Sequence, residues 1–544
     1  MMSAQQWQPA DGLILEPNAL KAAKEESRCL ALTAGPGAGK TEMLAQRADF
    51  LLQTGCCPYP KRILAISFKV DAGKNLKERV QKRCGYDLSS RFDSYTFHGF
   101  AKRIIDRFRP VLTGIDELNV NYTIGDQRVF KTQITFADLV PLAVQIIEQS
   151  KLARNALRST YSHVFLDEFQ DCTEYQYKLL RTIFEGTSLS LTAVGDTKQK
   201  IMGWAGAMEG VFQIFVKDFN AIPLNLYRNF RSKPNLLRMQ NKIIEVLDPA
   251  SVMAENLIAG NDGEIYTQSF PDSIAEAEYL ANLIQEWIEI KNTPLHEIAV
   301  LVSKQIDLYA KPLMDALEER NIPYRNEQSL QDISTEPLAR IIVDYLSCLY
   351  GKREPKAWER LITQILPFED ENESATREDF YDFIKTQKKD VISEFDSSKY
   401  STKVTAFLKY IEKDIIVALS SDYESEKRRN EVLQDTKSRI DELLIIEPDF
   451  AKALLRFSDD QAIRILTIHK SKGLEFDSVI IMAVENEIFF GKPDEERCAF
   501  FVGASRAKNR LILTCADYRE RPEAYNRRWD EYRTVHEEFM GYTT

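Results

Sequence analysis

Cysteine pairs at zinc-binding spacing are missing from this sequence. Its 8 cysteines stand at 29, 56, 57, 84, 172, 348, 498 and 515, none in a C-x-x-C pair, and its 5 histidines lie far apart. That pattern excludes a zinc-ribbon type of site, and the adjacent Cys56 and Cys57 read as packed thiols rather than ligands. Long apolar runs are also lacking: stretches such as Val479–Val484 fall far short of a membrane span. The first residues, MMSAQQWQPADG, have neither the basic region nor the apolar core of a signal peptide. The expectation is a soluble, reduced, cytoplasmic protein with no membrane contact. Positive charge is in deficit, with 71 Lys and Arg against 82 Asp and Glu and a formal net charge of −11. This excludes a small basic protein that coats nucleic acid, but not a large enzyme with a local basic groove. No internal repeat or low-complexity tract is present.

What is there is a chain of 544 residues, enough for roughly three to four domains with cores of their own. Short apolar runs alternate with longer amphipathic stretches, the pattern of parallel α/β domains. Cys29–Ala34, Arg62–Phe68, His163–Asp167 and Leu189–Gly195 read as buried strands of a first sheet. Glu297–Ser303, Ala462–His469, Ser478–Val484 and Arg510–Cys515 read as strands of a second. After Lys40, apolar residues at 43, 44, 48, 51 and 52 follow a helical period that stops at Gly55. Residues 106–160 are helical in period without a strong strand, and 350–455 are helix-like and much more charged.

Two motifs carry chemistry by themselves. In TAGPGAGKT (33–41), between a strand and a helix, Gly35, Gly37 and Gly39 let the backbone curl so that N–H groups face phosphate oxygens, aided by the helix dipole. Lys40 can reach the β- and γ-phosphates, Thr41 can ligate Mg²⁺, and Pro36 and Ala38 complete the loop. The strict phosphate-loop pattern has Gly where Ala34 stands. In HVFLDEFQD (163–171), an apolar strand ends in carboxylates: Asp167 can hold Mg²⁺ and Glu168 can orient and deprotonate a water. Paired, the two motifs make a hydrolytic NTP site.

Further strings follow in order: SFKVDAGKNLKERV (67–80), YTFHGF (95–100), AVGDTKQKIMGWAGA (193–207), LYRNFRS (226–232), LTIHKSKGLEF (466–476) and FFVGASRAK (500–508). With GPGAGKT and DEFQD, this series resembles that of the UvrD/Rep-type superfamily 1 DNA helicases, from about residue 13 to about 515. The resemblance implies an α/β fold of two RecA-like P-loop NTPase domains with parallel sheets, each with a reduced helical insertion. It assigns 1–105 and 161–220 to the ATP-binding domain 1A, 106–160 to its insertion 1B, 221–349 and 456–544 to domain 2A, and 350–455 to insertion 2B. The implied enzyme is a DNA-dependent ATPase that moves 3′ to 5′ on single-stranded or tailed DNA, using ATP and Mg²⁺ without sequence preference.

By the same resemblance Gln199 would sense the γ-phosphate, Arg231 and Arg506 would act as arginine fingers, Phe230 would stack on adenine and Glu475 would contact the ribose. Phe68, Thr96, His98, Trp204 and His469 would contact DNA, the aromatics by stacking. Lys102, Arg103, Arg107 and Arg109 add local positive charge.

The chain departs from the family in three places. Ala19, with Asn18 beside it, stands where the family reads adenine with a glutamine, which leaves ATP against GTP open. Met202 replaces an aromatic. Only ENEIFFGKPDEE separates Val484 from Arg497, too short for a full aromatic pin, with Phe489 and Phe490 as a possible stub. Length and layout are similar to the helicase subunit of Gabija-type antiviral systems, which works beside a nuclease. The alternative is therefore an ATP-gated DNA sensor or regulatory subunit with a nuclease partner protein; the sequence itself carries no nuclease constellation.

Overall fold

A computed structural model describes residues 2–543 apart from 69, 126, 200–205, 327–332, 334–335, 352–353, 366–372, 394–398, 412–415, 417–418, 420–422, 424, 458–461, 523–524 and 526–527. In chain order its strands are β1 (Leu30–Ala34), β2 (Arg62–Ser67), β3 (Phe92–Thr96), β4 (Leu118–Ile124), β5 (Lys131–Ile134), β6 (Tyr161–Leu166) and β7 (Ser190–Gly195). Then come β8 (Ile222–Leu226), β9 (Glu264–Phe270), β10 (Ile298–Val302), β11 (Tyr324–Asn326), β12 (Ile463–Thr467), β13 (Phe476–Ile481) and β14 (Ala507–Ala516). Two six-stranded sheets result, ordered β3-β2-β6-β7-β1-β8 and β11-β12-β10-β13-β14-β9. Every pairing in them is parallel, as in β1 against β7 and β10 against β12.

Parallel strands need crossovers, and helices on the faces bury both sides of each strand. This is why LALTA and VFL read as continuous apolar runs: Leu30, Leu32, Val164, Phe165 and Leu166 are all buried. Each sheet has the arrangement expected of a RecA-like domain. All eight strands read from the sequence exist. The segment 106–160 departs from the expectation, because β4 and β5 form a two-stranded sheet inside it. LNVNYTI buries only Leu118, Tyr122 and Ile124, so its apolar signal is too sparse to stand out against the flanking helices.

The described chain forms two compact units. One comprises Met1–Val120, Val129–Gln328 and Ile463–Thr544 and contains both six-stranded sheets; the other comprises Asn121–Arg128 and Ser329–Ala462. The second unit is helical, with Pro337–Tyr350, Tyr400–Tyr410, Glu426–Ile446 and Phe450–Phe457 among its helices. Its core includes Tyr345 stacked on Phe407 with ring centroids 4.2 Å apart. Among the described residues no helix is long and apolar enough to cross a membrane.

Buried charge fastens both sheets. Arg47, in the helix Lys40–Gln53 and fully buried, donates to the Ala22 carbonyl at 2.6 Å, to Thr192 Oγ1 at 3.0 Å and to Ser190 Oγ at 3.2 Å. It thereby holds the helix behind the phosphate loop against β7. In the second sheet Arg519 pairs with Glu276 and Glu485 at 2.7 Å each, and all three are buried. Removing the cation would leave Glu276 with the Thr514 hydroxyl, and Glu485 with the Ala516 N–H and Arg533 at 3.9 Å, without their close charged partner. Arg519→Met should therefore destabilise this unit by about 3–5 kcal/mol, seen as a lower urea midpoint; an unchanged midpoint would mean the triad contributes nothing.

Candidate active site

The phosphate loop leaves β1 at Ala34 and enters the helix Lys40–Gln53 at Gly39, which takes a left-handed conformation with φ 74°. Gly37 is left-handed as well, φ 67°, and a Cβ there would meet the Arg231 Cβ at 2.6 Å and collide with the Asn229 side chain. Only glycine satisfies both constraints. The Gly37 carbonyl accepts from the Phe230 N–H at 2.9 Å, so the LYRNFRS segment lies directly on the loop. Lys40 Nζ donates to the carbonyls of Ala34 at 3.2 Å and Gly35 at 3.4 Å. Its ammonium is thus held over the loop's own backbone. Pro36 and Ala38 are buried, whereas Gly35 and Thr41 are half-buried at the loop's two ends.

Beside the loop, β6 runs out at Asp167, whose N–H still donates to the Ile66 carbonyl of β2 at 3.0 Å. Glu168 then turns left-handed, φ 51°, with its N–H on Asp167 Oδ1 at 3.0 Å. Gln170 Nε2 donates to Glu168 Oε2. The two acids sit in opposite electrostatic situations. Burial, and then the charge of Glu168, raise the Asp167 carboxyl far above the ordinary range. Burial also acts upward on Glu168, but Lys40 and Lys472 overcome it and hold that carboxyl low. Asp196, at the end of β7 and fully buried, accepts from Gln199 Nε2 at 2.9 Å and pairs with Lys198 at 3.1 Å.

Side chains from the second sheet complete the cluster. Arg506, buried, donates to Gln199 Oε1 at 3.0 Å, to the Val502 carbonyl at 2.8 Å and to the Leu474 carbonyl at 3.1 Å. Burial, reinforced by the nearby Arg231, pushes its guanidinium down to about 9, while Glu168, Asp196 and Glu475 pull the other way. Arg231 donates to Glu475 Oε2 at 2.8 Å and to the Ser505 carbonyl at 3.1 Å. Glu475 is half-exposed and Phe230 has an exposed ring.

Lys472 contributes what sequence reasoning missed: its Nζ lies 2.5 Å from Asp171 Oδ2, donates to the Gln199 carbonyl at 3.0 Å, and lies 3.8 Å from Glu168 Oε2. The string HKSK contains two lysines, and spacing alone does not say which one turns inward. Lys470 is exposed and Lys472 is buried.

Beside β8 and the residues that follow it, the helix Pro17–Lys24 is committed to structure. Ala19 is buried in the core, and Asn18 Nδ2 donates to the Asn225 carbonyl at 2.7 Å. Glu16, also absent from the sequence reading, accepts from the N–H groups of Tyr227 at 3.3 Å and Arg228 at 2.9 Å.

Among the described residues, those expected at DNA share no cluster as tight. Phe68 is half-buried, edge-on to Phe97 with centroids 6.4 Å apart. Thr96 caps the helix Phe97–Phe108, its Oγ1 accepting from the Gly99 N–H. His98 stacks on Phe136 at 4.0 Å, and burial lowers it to about 4, so it is a neutral imidazole. Burial foremost also lowers His469. Trp204, and Met202 before it, lie outside the described residues. In the basic cluster, Lys102 pairs with Asp106 at 2.8 Å and Arg109 donates to the Asp106 carbonyl, while Arg103 lies over the Tyr95 ring.

One expectation needs correction. Phe489 is no stub: it is buried against Phe500, Phe539 and His536, held by a C-terminal segment whose contact the sequence does not announce. Phe490 is 71% exposed, with Lys304 Nζ 4.0 Å from its ring centroid.

Two family profiles match the chain. An AAA domain profile matches residues 18–205. A UvrD-like helicase C-terminal domain profile matches 224–428 and 416–518, more than half of the chain. DNA helicase II of Escherichia coli (strain K12) is 24% identical over 604 residues, covering 90% of this chain and 82% of that protein. ATP-dependent DNA helicase PcrA of Bacillus subtilis (strain 168) is 23% identical, covering 93% of this chain and 83% of PcrA. DNA helicase II of Haemophilus influenzae is 26% identical over 438 residues, which are 71% of this chain and 59% of that protein.

The Gly37 geometry yields a direct test. Gly37→Ala, strained by its φ and by the Asn229–Arg231 backing, should weaken binding of a fluorescent ATP analogue at least tenfold, about 1.4 kcal/mol. Affinity within twofold of wild type would show that the loop shape does not matter to nucleotide.

Proposed function

We propose that this chain, which belongs to the UvrD-like superfamily 1 helicases, is an ATP-dependent DNA helicase that moves 3′ to 5′ along single strands by hydrolysing ATP between its two sheets. The observation that carries this reading is the set of side chains shared across them: Arg506 on Gln199, and Lys472 on Asp171, beside the phosphate loop. The part of the chain built on the first sheet, which includes β8, serves as the ATP-binding domain, and the second sheet, with the segment that follows β8, supplies the arginines.

ATP is the substrate of this site. The N–H groups of Gly37, Gly39, Lys40 and Thr41 bind its phosphates, and Lys40 leaves the loop carbonyls to pair with them. The donor set suits Mg²⁺: the Thr41 hydroxyl and the Asp167 carboxylate are hard oxygens, and a divalent cation would stabilise the charge of a carboxyl that burial, and then its acidic neighbour, raise. When bound, Mg²⁺ neutralises charge on the phosphates. Glu168, held low by Lys40 and Lys472, is ionised and accepts the proton of the attacking water. The γ-phosphorus–oxygen bond to ADP breaks as the water oxygen bonds to phosphorus. Gln199 and the guanidiniums of Arg231 and Arg506 balance the charge that shifts to the oxygens. Phe230 offers an exposed face to the base, and Glu475 lies beside Arg231 at the ribose end.

Stacking on Phe68 and Trp204, with contacts from Thr96, His98 and His469, holds single-stranded DNA without reading bases. The alternative, a regulatory subunit beside a nuclease, differs in outcome: it retains DNA-stimulated hydrolysis and separates no strands.

Glu168→Gln should lower ATP turnover at least hundredfold while the fluorescent ATP analogue still binds within threefold of wild type. Turnover that survives would remove Glu168 from the role of base.

A further inference from the structure

We propose that Lys472 is a positioning residue for hydrolysis, which anchors one oxygen of Glu168 and so selects the other as the proton acceptor; this rests on Glu168 being the base. The lysine is carried on a tight turn after β12. Ser471, fully buried, donates through its N–H to the Thr467 carbonyl at 3.1 Å and through its Oγ to the Ile468 carbonyl at 2.7 Å. The Leu474 N–H returns to the Ser471 carbonyl at 3.0 Å. These bonds fix the direction of the next side chain, and the Lys472 ammonium ends buried among oxygens of the first sheet's loops.

An ammonium has three donors and loses its hydration on burial, so it persists there only where acceptors and anions surround it. Lys472 finds Asp171 Oδ2 at 2.5 Å, the Gln199 carbonyl at 3.0 Å and Glu168 Oε2 at 3.8 Å. The last is too long for a hydrogen bond but well inside the range of charge attraction. Gln170 Nε2 donates to that same Oε2. A donor and a cation therefore converge on one oxygen of the carboxylate, which fixes its rotation and leaves Oε1 as the atom that takes the proton. Asp171 does not touch the water in this scheme; it holds Lys472 in place.

The test uses the full chain and steady-state ATP turnover with saturating oligo-dT. Lys472→Met should lower kcat at least tenfold with KM for ATP within twofold, because orientation of the base is lost and phosphate binding is not. Lys472→Arg, which keeps the charge, should recover at least a third of wild-type kcat. Asp171→Asn should also lower kcat, and the double variant should lose no more than the worse single one, since both act through one carboxylate. A Lys472→Met kcat within twofold of wild type, or losses that multiply in the double variant, would overturn the proposal. Should Lys472→Met fail to melt cooperatively, Asp171→Asn decides alone, by the same twofold limit. Glu168→Gln run in parallel separates the two claims: if it is inactive while Lys472→Met is normal, only the positioning role falls; if it stays active, the base assignment falls with it.

Discussion

Buried charge that neither sheet satisfies alone is the constraint on which this protein depends. Of the buried carboxylates at the end of the first sheet, Asp196 has Lys198 of its own sheet, whereas Asp171 is met by the buried Lys472 of the second, which also delivers the buried Arg506 to Gln199. A lone buried ion is expensive, and a pair loses much more when one partner is removed than it gains when formed. Each sheet therefore depends on the other for its electrostatics, at the place where the phosphate loop ends. A site built this way answers to small changes in how the two sheets meet, which is what a motor driven by nucleotide turnover requires.

The same arrangement divides the work between strand ends and turns. Parallel sheets place the carboxyl ends of β1, β6 and β7 side by side, so the phosphate loop, the Asp167–Glu168 pair and Asp196 come together without any long connection. The second sheet adds its residues from turns: Lys472 after β12, and Arg506 just before β14. Arg231 comes from the segment that follows β8 and lies against Gly37. Rigid scaffolds with short functional turns are a common solution where geometry must be held to fractions of an ångström.

Much of this was legible in the residues because it is local. A glycine-rich turn before a helix and an apolar run ending in acids are readable where they stand, and the eight strands they imply exist. What was not legible depends on burial or on distant pairing. β3 (FDSYT) and β9 (EIYTQSF) lack continuous apolar runs: only Phe92 is fully buried in the first and only Phe270 in the second. β4 and β5 are hidden for a similar reason, since few of their residues are buried. Lys472 was in plain sight, but its inward direction is set by the buried Ser471 turn. Phe489 and Phe490 look equivalent in sequence, and packing against Phe500, His536 and Phe539 buries the first while the second stays exposed.

Strand separation driven by hydrolysis between the two sheets is tested most directly by release of a labelled strand from a 3′-tailed duplex by wild-type protein, with ATP turnover followed in the same reaction. Turnover should rise with the tailed DNA, and strand release should require ATP and the 3′ tail. Turnover indifferent to DNA, with no strand released, would contradict it.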